Sequence, residues 1–227
     1  AACIVGYGAE IVINRVGFRH AGDETAIYAA GGLLDIPLAA GIALGVLELK
    51  RSTVSVSEGI RQNLDNQKKE FIQPFFSTMQ WVMAGNDTEG LRYATIETPE
   101  KYYLRWVEET GPYAGEANPL DRHLLQVCRK ARLLELIHDF IVFDSGIKKL
   151  CRQNQYFGVK AAQAFILRRE GGILWHTQGS GKSLTMVFLV RKMRADAELR
   201  RFKVIVVTDR KDLQGQLSMT ATLTGEV

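Results

Sequence analysis

Two groups of residues in this 227-residue chain have types and spacings that chemistry can use. One is His176-Thr-Gln-Gly-Ser-Gly-Lys-Ser183, between an apolar run (Gly172 to Trp175) and a helix-like stretch (Leu184 to Met193). A strand, a glycine turn and a helix opening on Lys-Ser wrap backbone N–H groups around a polyphosphate at a helix N-terminus. Thr177, Gln178, Gly179, Ser180 and Gly181 supply the loop, Lys182 the ammonium that reaches β- and γ-phosphates, and Ser183 a hydroxyl for magnesium. The strict pattern G-x-x-x-x-G-K-S/T places glycine at position 176, where this chain has histidine, so only its second half is met. A glycine turn before an ordinary helix is the plainer reading, but it leaves the Lys-Ser pair unexplained. A nucleoside triphosphate is the expected ligand.

The other group is Asp35, Glu48 and Lys50. Leu34-Asp-Ile-Pro-Leu38 and Ile42 to Lys50 flank Ala39-Ala-Gly41, and a two-residue turn at Ala40-Gly41 sets Asp35 opposite Val46. Asp35 and Glu48 are then diagonal neighbours, about 7–8 Å apart at Cβ, and Lys50 shares the face because strand side chains alternate. Two carboxylates suit magnesium, which stabilises charge on a phosphoryl oxygen, and a nearby lysine orients or activates the attacking water. That chemistry is phosphodiester hydrolysis. Judged by itself the trio is more commonly the polar edge of a strand, because an Asp with a following Glu-x-Lys recurs by chance.

Several elements must position these groups. Glu10 to Val16 and Ile27 to Leu34 read as strands around a polar Arg19 to Thr25 turn. Ser55-Val-Ser-Glu58 fits a capping box, and Ile60, Leu64, Phe71 and Phe75 at helical spacing predict a helix packed on the sheet. Gln62 and Asn66 share a different face of it, turned to the metal site or a DNA backbone or, more commonly, solvated. Pro74 bends or ends that helix, and Gly85 to Gly90 reads as a loop. Pro99 to Glu109, with Tyr102, Tyr103 and Trp106, predicts a short helix whose aromatics pack in a core more commonly than they stack on bases. Gly111-Pro112 and Gly115 to Pro119 form the best break. Leu124 to Phe143 then has helical spacing beside Arg129-Lys-Ala-Arg132, a cluster that either follows a phosphate backbone or is solvated. His20, His123 and His138 have no partner at metal spacing and read as packing or capping residues. Gln155 precedes a helix predicted over Val159 to Arg168, with Ala161, Ala164, Phe165 and Ile166 toward a sheet; its amide either reads an adenine or lies on the surface. Lys203 to Thr208 reads as a buried strand, which with the loop and helix before it makes a βαβ unit and predicts a parallel sheet. The basic run Arg191 to Lys203 needs no more than a helix dipole or solvent.

Composition bounds the class. A 46% hydrophobic content suffices for a core in one large or two small domains. With 29 basic and 25 acidic residues the net charge of +4 is compatible with a polyanionic partner and does not require one. Cys3, Cys128 and Cys151 are an odd number without metal spacing, which predicts free thiols in a reducing, cytoplasmic compartment. Ile36 to Leu47 is too short to span a bilayer and no basic-then-apolar leader opens the chain, so no membrane partner is expected. The first residue is Ala1, not methionine, from which a missing natural N-terminus is expected.

Taken together, Leu47-Glu-Leu-Lys50, Glu58-Gly-Ile-Arg-Gln62, Phe71 to Phe76, Ala84-Gly-Asn-Asp87, Thr95-Ile-Glu-Thr98, Phe143-Asp144, Gln155-Tyr-Phe-Gly-Val-Lys160, Trp175 to Ser183 and Val207-Thr-Asp-Arg210 resemble the restriction subunit of type I restriction-modification enzymes. The similarity is dense from Gly41 onward and thinner before Ile36. It implies an α/β chain with a restriction-endonuclease-like mixed-sheet domain of the PD-(D/E)xK class over 1–111, a helical connector over 112–150, and the beginning of a RecA-like P-loop domain of a superfamily 2 helicase-like translocase over 151–227. By motif match, Asp35, Glu48, Lys50 and Gln62 would be catalytic, with Asp35 and Glu48 on the metal. Asn66 stands where that branch often has tyrosine. Gln155 would read adenine, Thr177 to Ser183 would hold ATP, and Ser183 its Mg2+. In that family position 176 is commonly not glycine, which accounts for the departure from the strict pattern. The implied partners are double-stranded DNA and the methyltransferase and specificity subunits of the same complex. The family's acidic Walker B motif, later helicase motifs and arginine finger are not reached by Val227, so a chain that binds nucleotide weakly and does not translocate DNA by itself is expected. A nucleotide-binding interaction module and a stand-alone repair nuclease with an ATPase attached are the rival readings.

Overall fold

The computed structural model of the chain describes residues 2–6, 12–13 and 43–207, together with positions 214, 215, 218, 219 and 222. Asp35 and the strand and turn readings over Arg19 to Leu38 lie outside the described residues. The chain divides into two compact units, Ala1–Leu134 and Glu135–Val227.

The first unit is built on a mixed five-stranded sheet. Its strands are β1 (Ala2–Gly6), β2 (Val12–Ile13), β3 (Ala43–Leu49), β4 (Trp81–Asn86) and β5 (Gly90–Ala94), in the order β2-β1-β3-β4-β5. Only β3 and β4 are parallel. Val46, expected opposite Asp35, is paired with Ile4 on one side and Val82 on the other, so over Ala43–Leu49 the edges of β3 are taken by β1 and β4. Alternation along β3 and β4 puts Val46, Glu48, Val82 and Ala84 on one face. Helix α1 (Val56–Asn66) covers it, with Val56 and Ile60 packed against Ala84. Val46 and Val82 join Phe76, Met79 and Ala94 in the neighbouring core. Each large side chain so buried contributes about 1.5–3 kcal/mol.

Helix α1 starts where expected but not by a full capping box. Ser55 Oγ accepts from Ser57 N at 3.3 Å, while Glu58 pairs with Arg61 and the N–H of Val56 goes to Glu89 Oε1 at 2.9 Å. It also ends early. Pro74 can stand only in the first turn of the 3-10 segment Gln73–Thr78, so the predicted continuation through Phe71 fails, and Phe71 is exposed. Gly85 and Asn86, read as loop, belong to β4 and pair with Leu91 and Gly90.

The opposite face carries Trp81 stacked on Tyr93, with centroids 5.1 Å apart, and the buried Trp106 beside them. The helix predicted over Pro99 to Glu109 shrinks to one 3-10 turn, Glu100–Tyr102. After it the backbone is extended: Leu104 bridges Tyr93, and Trp106 reaches the core while Tyr102 stays exposed. Helix α2 (Pro119–Val127), capped by Asn118, lies on this face. A Cβ on Gly85 would meet Leu120 at 2.5 Å and one on Gly90 would meet His123 at 2.3 Å. The single helix predicted from Leu124 to Phe143 is broken at Cys128-Arg129; α3 (Lys130–Asp139) follows, and then strand.

In the second unit β6 (Ile141–Asp144) and β7 (Ile147–Leu150) form a hairpin whose turn residues Ser145 and Gly146 have φ of 54° and 80°. Helix α4 (Gln153–Leu167) begins well before its predicted start at Val159 and buries Gln155, Tyr156, Gly158 and Val159; Phe165 is exposed rather than set against a sheet. Helix α5 (Lys182–Ala195) spans the predicted one. Phe140 packs on Tyr156 and Phe188 at 5.0 and 5.7 Å. Neither predicted strand of the βαβ unit forms among the described residues: 171–177 and 203–207 have no ladder partner, and Ile173, Trp175 and Val207 are 92%, 87% and 87% exposed. A parallel strand has no local hydrogen bonds to fall back on, so apolar composition without a neighbour leaves it unpaired. No helix among the described residues is long and apolar enough to cross a membrane.

Candidate functional site

Strand β3 presents Glu48 and, just past its end, Lys50 on the face that α1 covers. The Glu48 side chain is 1% exposed and that of Lys50 19%. Lys50 Nζ donates to Glu48 Oε1 at 3.3 Å and to Oε1 of Gln62 on α1. The helix comes this close because residue 59 is glycine: a Cβ there would lie 3.2 Å from Ala84 Cβ, 3.3 Å from Lys50 Cγ and 3.5 Å from Glu48 Cγ. Lys50 also remains tied to the sheet, its N–H donating to Gly85 O at 3.0 Å. Three of the residues singled out for hydrolysis therefore converge. Asn66, four residues beyond Gln62, instead ends the helix, its carbonyl accepting from Ile72 N at 3.2 Å.

The donor set is of one chemical kind. Glu48 carboxylate and Gln62 amide oxygen are hard ligands of the type magnesium takes, and the Lys50 ammonium beside them leaves room for a negatively charged or polarised oxygen. Among the described residues no three His, Cys, Asp or Glu side chains gather around one point, so a magnesium here would be held by Glu48 with ligands from elsewhere, Asp35 being the sequence candidate.

In the second unit the loop residues form a glycine turn ahead of α5. Gly179 and Gly181 have φ of 74° and 84°, and Gly181 is the helix N-cap without a side-chain cap. Such a cap leaves the first amides of α5 for an anion. The loop is held by its carbonyls. Lys182 Nζ donates to His176 O at 3.2 Å and Thr177 O at 2.9 Å, Ser180 Oγ to Thr177 O at 2.7 Å, and Arg152 Nη1 to Gly179 O at 3.2 Å. Gln155 is neither a surface residue nor a free amide: it is buried, donates Nε2 to Gly181 O at 2.9 Å and accepts Arg152 N–H at 2.8 Å. Gln178, exposed, and Thr177 line a cleft of about 380 Å³ with Arg152, Asn154, Trp175 and His176. Ser183 sits in the first turn of α5, half-buried. A loop whose carbonyls are held by side chains, ahead of a helix whose first turn has no side-chain cap, fits a polyphosphate.

Sequence reasoning missed the ionic centre beneath α4 and α5. Glu135 accepts from Tyr156 Oη, Lys160 Nζ and Lys192 Nζ, each at 2.7 Å, and Lys192 also meets Asp139 at 2.5 Å. Partial burial resists ionisation of Glu135, yet these three donors hold its carboxyl down at about 2. Arg191, read as a solvated cation, donates to Ile141 O and His138 O at 2.6 and 2.9 Å. Likewise Arg132 of the basic cluster is engaged by Glu108 and Gln126 O within the first unit. Glu108 is 24 positions from Arg132, and Ile141 and His138 are 50 or more from Arg191, beyond any local spacing rule.

Two family descriptions match the chain. Residues 33–101 match the type I restriction enzyme R protein N terminus, and residues 154–227 match the SWI2/SNF2 ATPase. The type I restriction enzyme HindI endonuclease subunit of Haemophilus influenzae is 41% identical over 100 residues, 39% of this chain and 10% of that protein. The corresponding SsaAORF53P subunit of Staphylococcus saprophyticus is 25% identical over 181 residues, 78% of this chain and 19% of its own length. The SauCOLORF180P subunit of Staphylococcus aureus is 24% identical over 182 residues, with the same two shares. The two matches and the curated relatives all support a likeness of this chain to the N-terminal portion of type I restriction R subunits. The resemblance drawn from the motifs is thereby borne out. The R protein match holds Glu48, Lys50 and Gln62, and the ATPase match holds Gln155 and the loop, so each group of candidate residues falls inside the match whose chemistry it suits. The chain spans a tenth to a fifth of these relatives.

Proposed function

We propose that the first unit carries the nuclease and the second the start of the motor of a type I restriction enzyme: ATP-driven DNA translocation with metal-dependent cleavage of unmodified double-stranded DNA. On this reading the mixed sheet over 1–111 is a restriction-endonuclease-like domain, 112–150 connects, and 151–227 opens a RecA-like domain. The complete subunit works in the cytoplasm with methyltransferase and specificity subunits. The observation that carries it is Lys50 bonded at once to Glu48 and Gln62.

Magnesium at Glu48 and Asp35 would stabilise charge on the phosphoryl oxygen. Lys50, half out of the sheet, orients the attacking water, and Gln62 fixes the ammonium through its amide oxygen. Burial of Glu48 keeps its carboxylate in one place and out of bulk solvent. In the second unit the α5 amides and Lys182 take the phosphates of ATP, Ser183 its Mg2+, and Gln155 conveys the state of the loop to α4 through Gly181 O.

The test uses the enzyme assembled from complete subunits, on methylated and unmethylated circular DNA with ATP and magnesium. Lys50→Ala is expected to lower cutting about a hundredfold or more while ATP hydrolysis continues; Lys182→Ala is expected to stop both. Undiminished cutting by Lys50→Ala would sink the nuclease assignment.

A further inference from the structure

The cleft beside the glycine loop of the second unit has an aromatic face and a free amide on its wall. Its volume of about 380 Å³ is in the range of small-ligand sites, roughly 300–1,000 Å³. Trp175 lines it, 87% exposed, and among the described residues the indole has no ring contact or hydrogen bond. Asn154 lines it from the first turn of α4, exposed, its amide without a hydrogen bond among the described residues. A flat apolar ring left in water gains by stacking on another flat ring, and every nucleobase has a face for it.

Position decides which base. Thr177 to Ser180 line the same cleft and belong to the loop that fits a polyphosphate, so a ring entering the cleft is joined to those phosphates. Gln155, the sequence candidate for reading that base, is not presented to it. The residue is 2% exposed, with Nε2 donating to Gly181 O and Oε1 accepting from Arg152 N–H. Those bonds leave the amide one position earlier, Asn154, on the cleft. Gln178, the other amide on the wall, is part of the loop that takes the phosphates.

We infer that the cleft takes the purine base of the nucleotide, with Trp175 stacking on its face and Asn154 selecting adenine. This rests on the polyphosphate reading of the loop. Adenine presents the N6–H donor beside the N7 acceptor, and an asparagine amide meets both, its oxygen accepting from N6–H and its NH2 donating to N7. Guanine presents the O6 acceptor in place of that donor, so one of the two bonds is replaced by two oxygens facing each other. Discrimination against guanine follows from the amide, and the indole holds either purine alike. Both are positioning residues and take no part in bond breaking.

The experiment measures, by calorimetry on the complete subunit, binding of a non-hydrolysable ATP analogue, its guanine counterpart and inorganic triphosphate. Trp175→Ala is expected to weaken both nucleotide analogues about tenfold, and Trp175→Phe to restore most of that loss. Asn154→Ala is expected to weaken the adenine analogue alone, about tenfold, bringing it level with the guanine analogue. Inorganic triphosphate should bind all three variants as it binds wild type, which also checks that they fold. Wild-type affinity for the adenine analogue in Trp175→Ala, or an adenine preference that survives Asn154→Ala, overturns the inference. Its failure is distinct from that of the nucleotide reading: triphosphate bound as tightly as the ATP analogue removes the base cleft and keeps the loop, whereas no binding of either removes both.

Discussion

The two candidate sites are held by different means. Glu48 and Lys50 take their places from a strand paired on both sides, and Gln62 from a helix that a glycine lets down onto that strand. Their spacing is therefore set by backbone ladders with core beneath. The phosphate-type loop is tied by single side-chain bonds from Lys182, Gln155 and Arg152, and the apolar runs before α5 and after it have no ladder. A ladder-set site changes only when the core yields, whereas a loop set by a few bonds responds to one residue.

That difference orders the expected effects. Gly59→Val should cost most, about 1–3 kcal/mol by overpacking, and should separate Lys50 from Gln62. Gly59→Ala is the sharper test: about 1 kcal/mol of helix propensity works against a contact of 3.2 Å, so urea midpoints near wild type are expected for Ala and clearly lower ones for Val. Equal midpoints for Val and wild type would mean that α1 is not seated by that contact. In the loop, Gly181→Ala should cost about 1–2 kcal/mol in left-handed backbone strain and also displace Gln155 Nε2, 2.6 Å from the added Cβ. Gly179→Ala has the same backbone strain with nothing near its Cβ, so its effect should be smaller. Amide exchange across the first turn of α5 reads both, and equal protection in the two variants would remove Gln155 as the loop's anchor.

Much of the first site was legible because its signals are local. Alternation along β3 puts Glu48 and Lys50 together, and Ser55 with the apolar spacing marks the start of α1. What brings Gln62 in is Gly59, whose contact is with a strand ten or more positions away, and no spacing rule announces it. The partners of β3 were not legible, because turn residues suggest a hairpin but do not say which edges other strands will take; β1 and β4 take both over Ala43–Leu49. In the second unit the glycine loop and α5 were legible, being local, while the parallel strands were not realised, because apolar composition states a wish for burial and names no neighbour. Glu135 gave no sequence signal at all, its donors coming from Tyr156, Lys160 and Lys192.

The last expected effect separates the units by acid. His123, in the first, has a folded value of about 4 against an ordinary 6.5, so the unfolded chain binds the proton first and stability falls as pH drops from 6.5 through 4. Glu135, in the second, is depressed from 4.5 to about 2; its contribution is present above 4.5 and is lost as pH falls through 2. The first unit should therefore soften at higher pH than the second. Emission of the buried Trp81 and Trp106 follows the first, and amide exchange across Gln153–Leu167 follows the second. His123→Gln keeps an acceptor for Leu91 N–H and has no proton to gain, so it should abolish the early loss alone, whereas Glu135→Gln should abolish only the late one. An early loss that persists in His123→Gln would place its origin outside the buried imidazole.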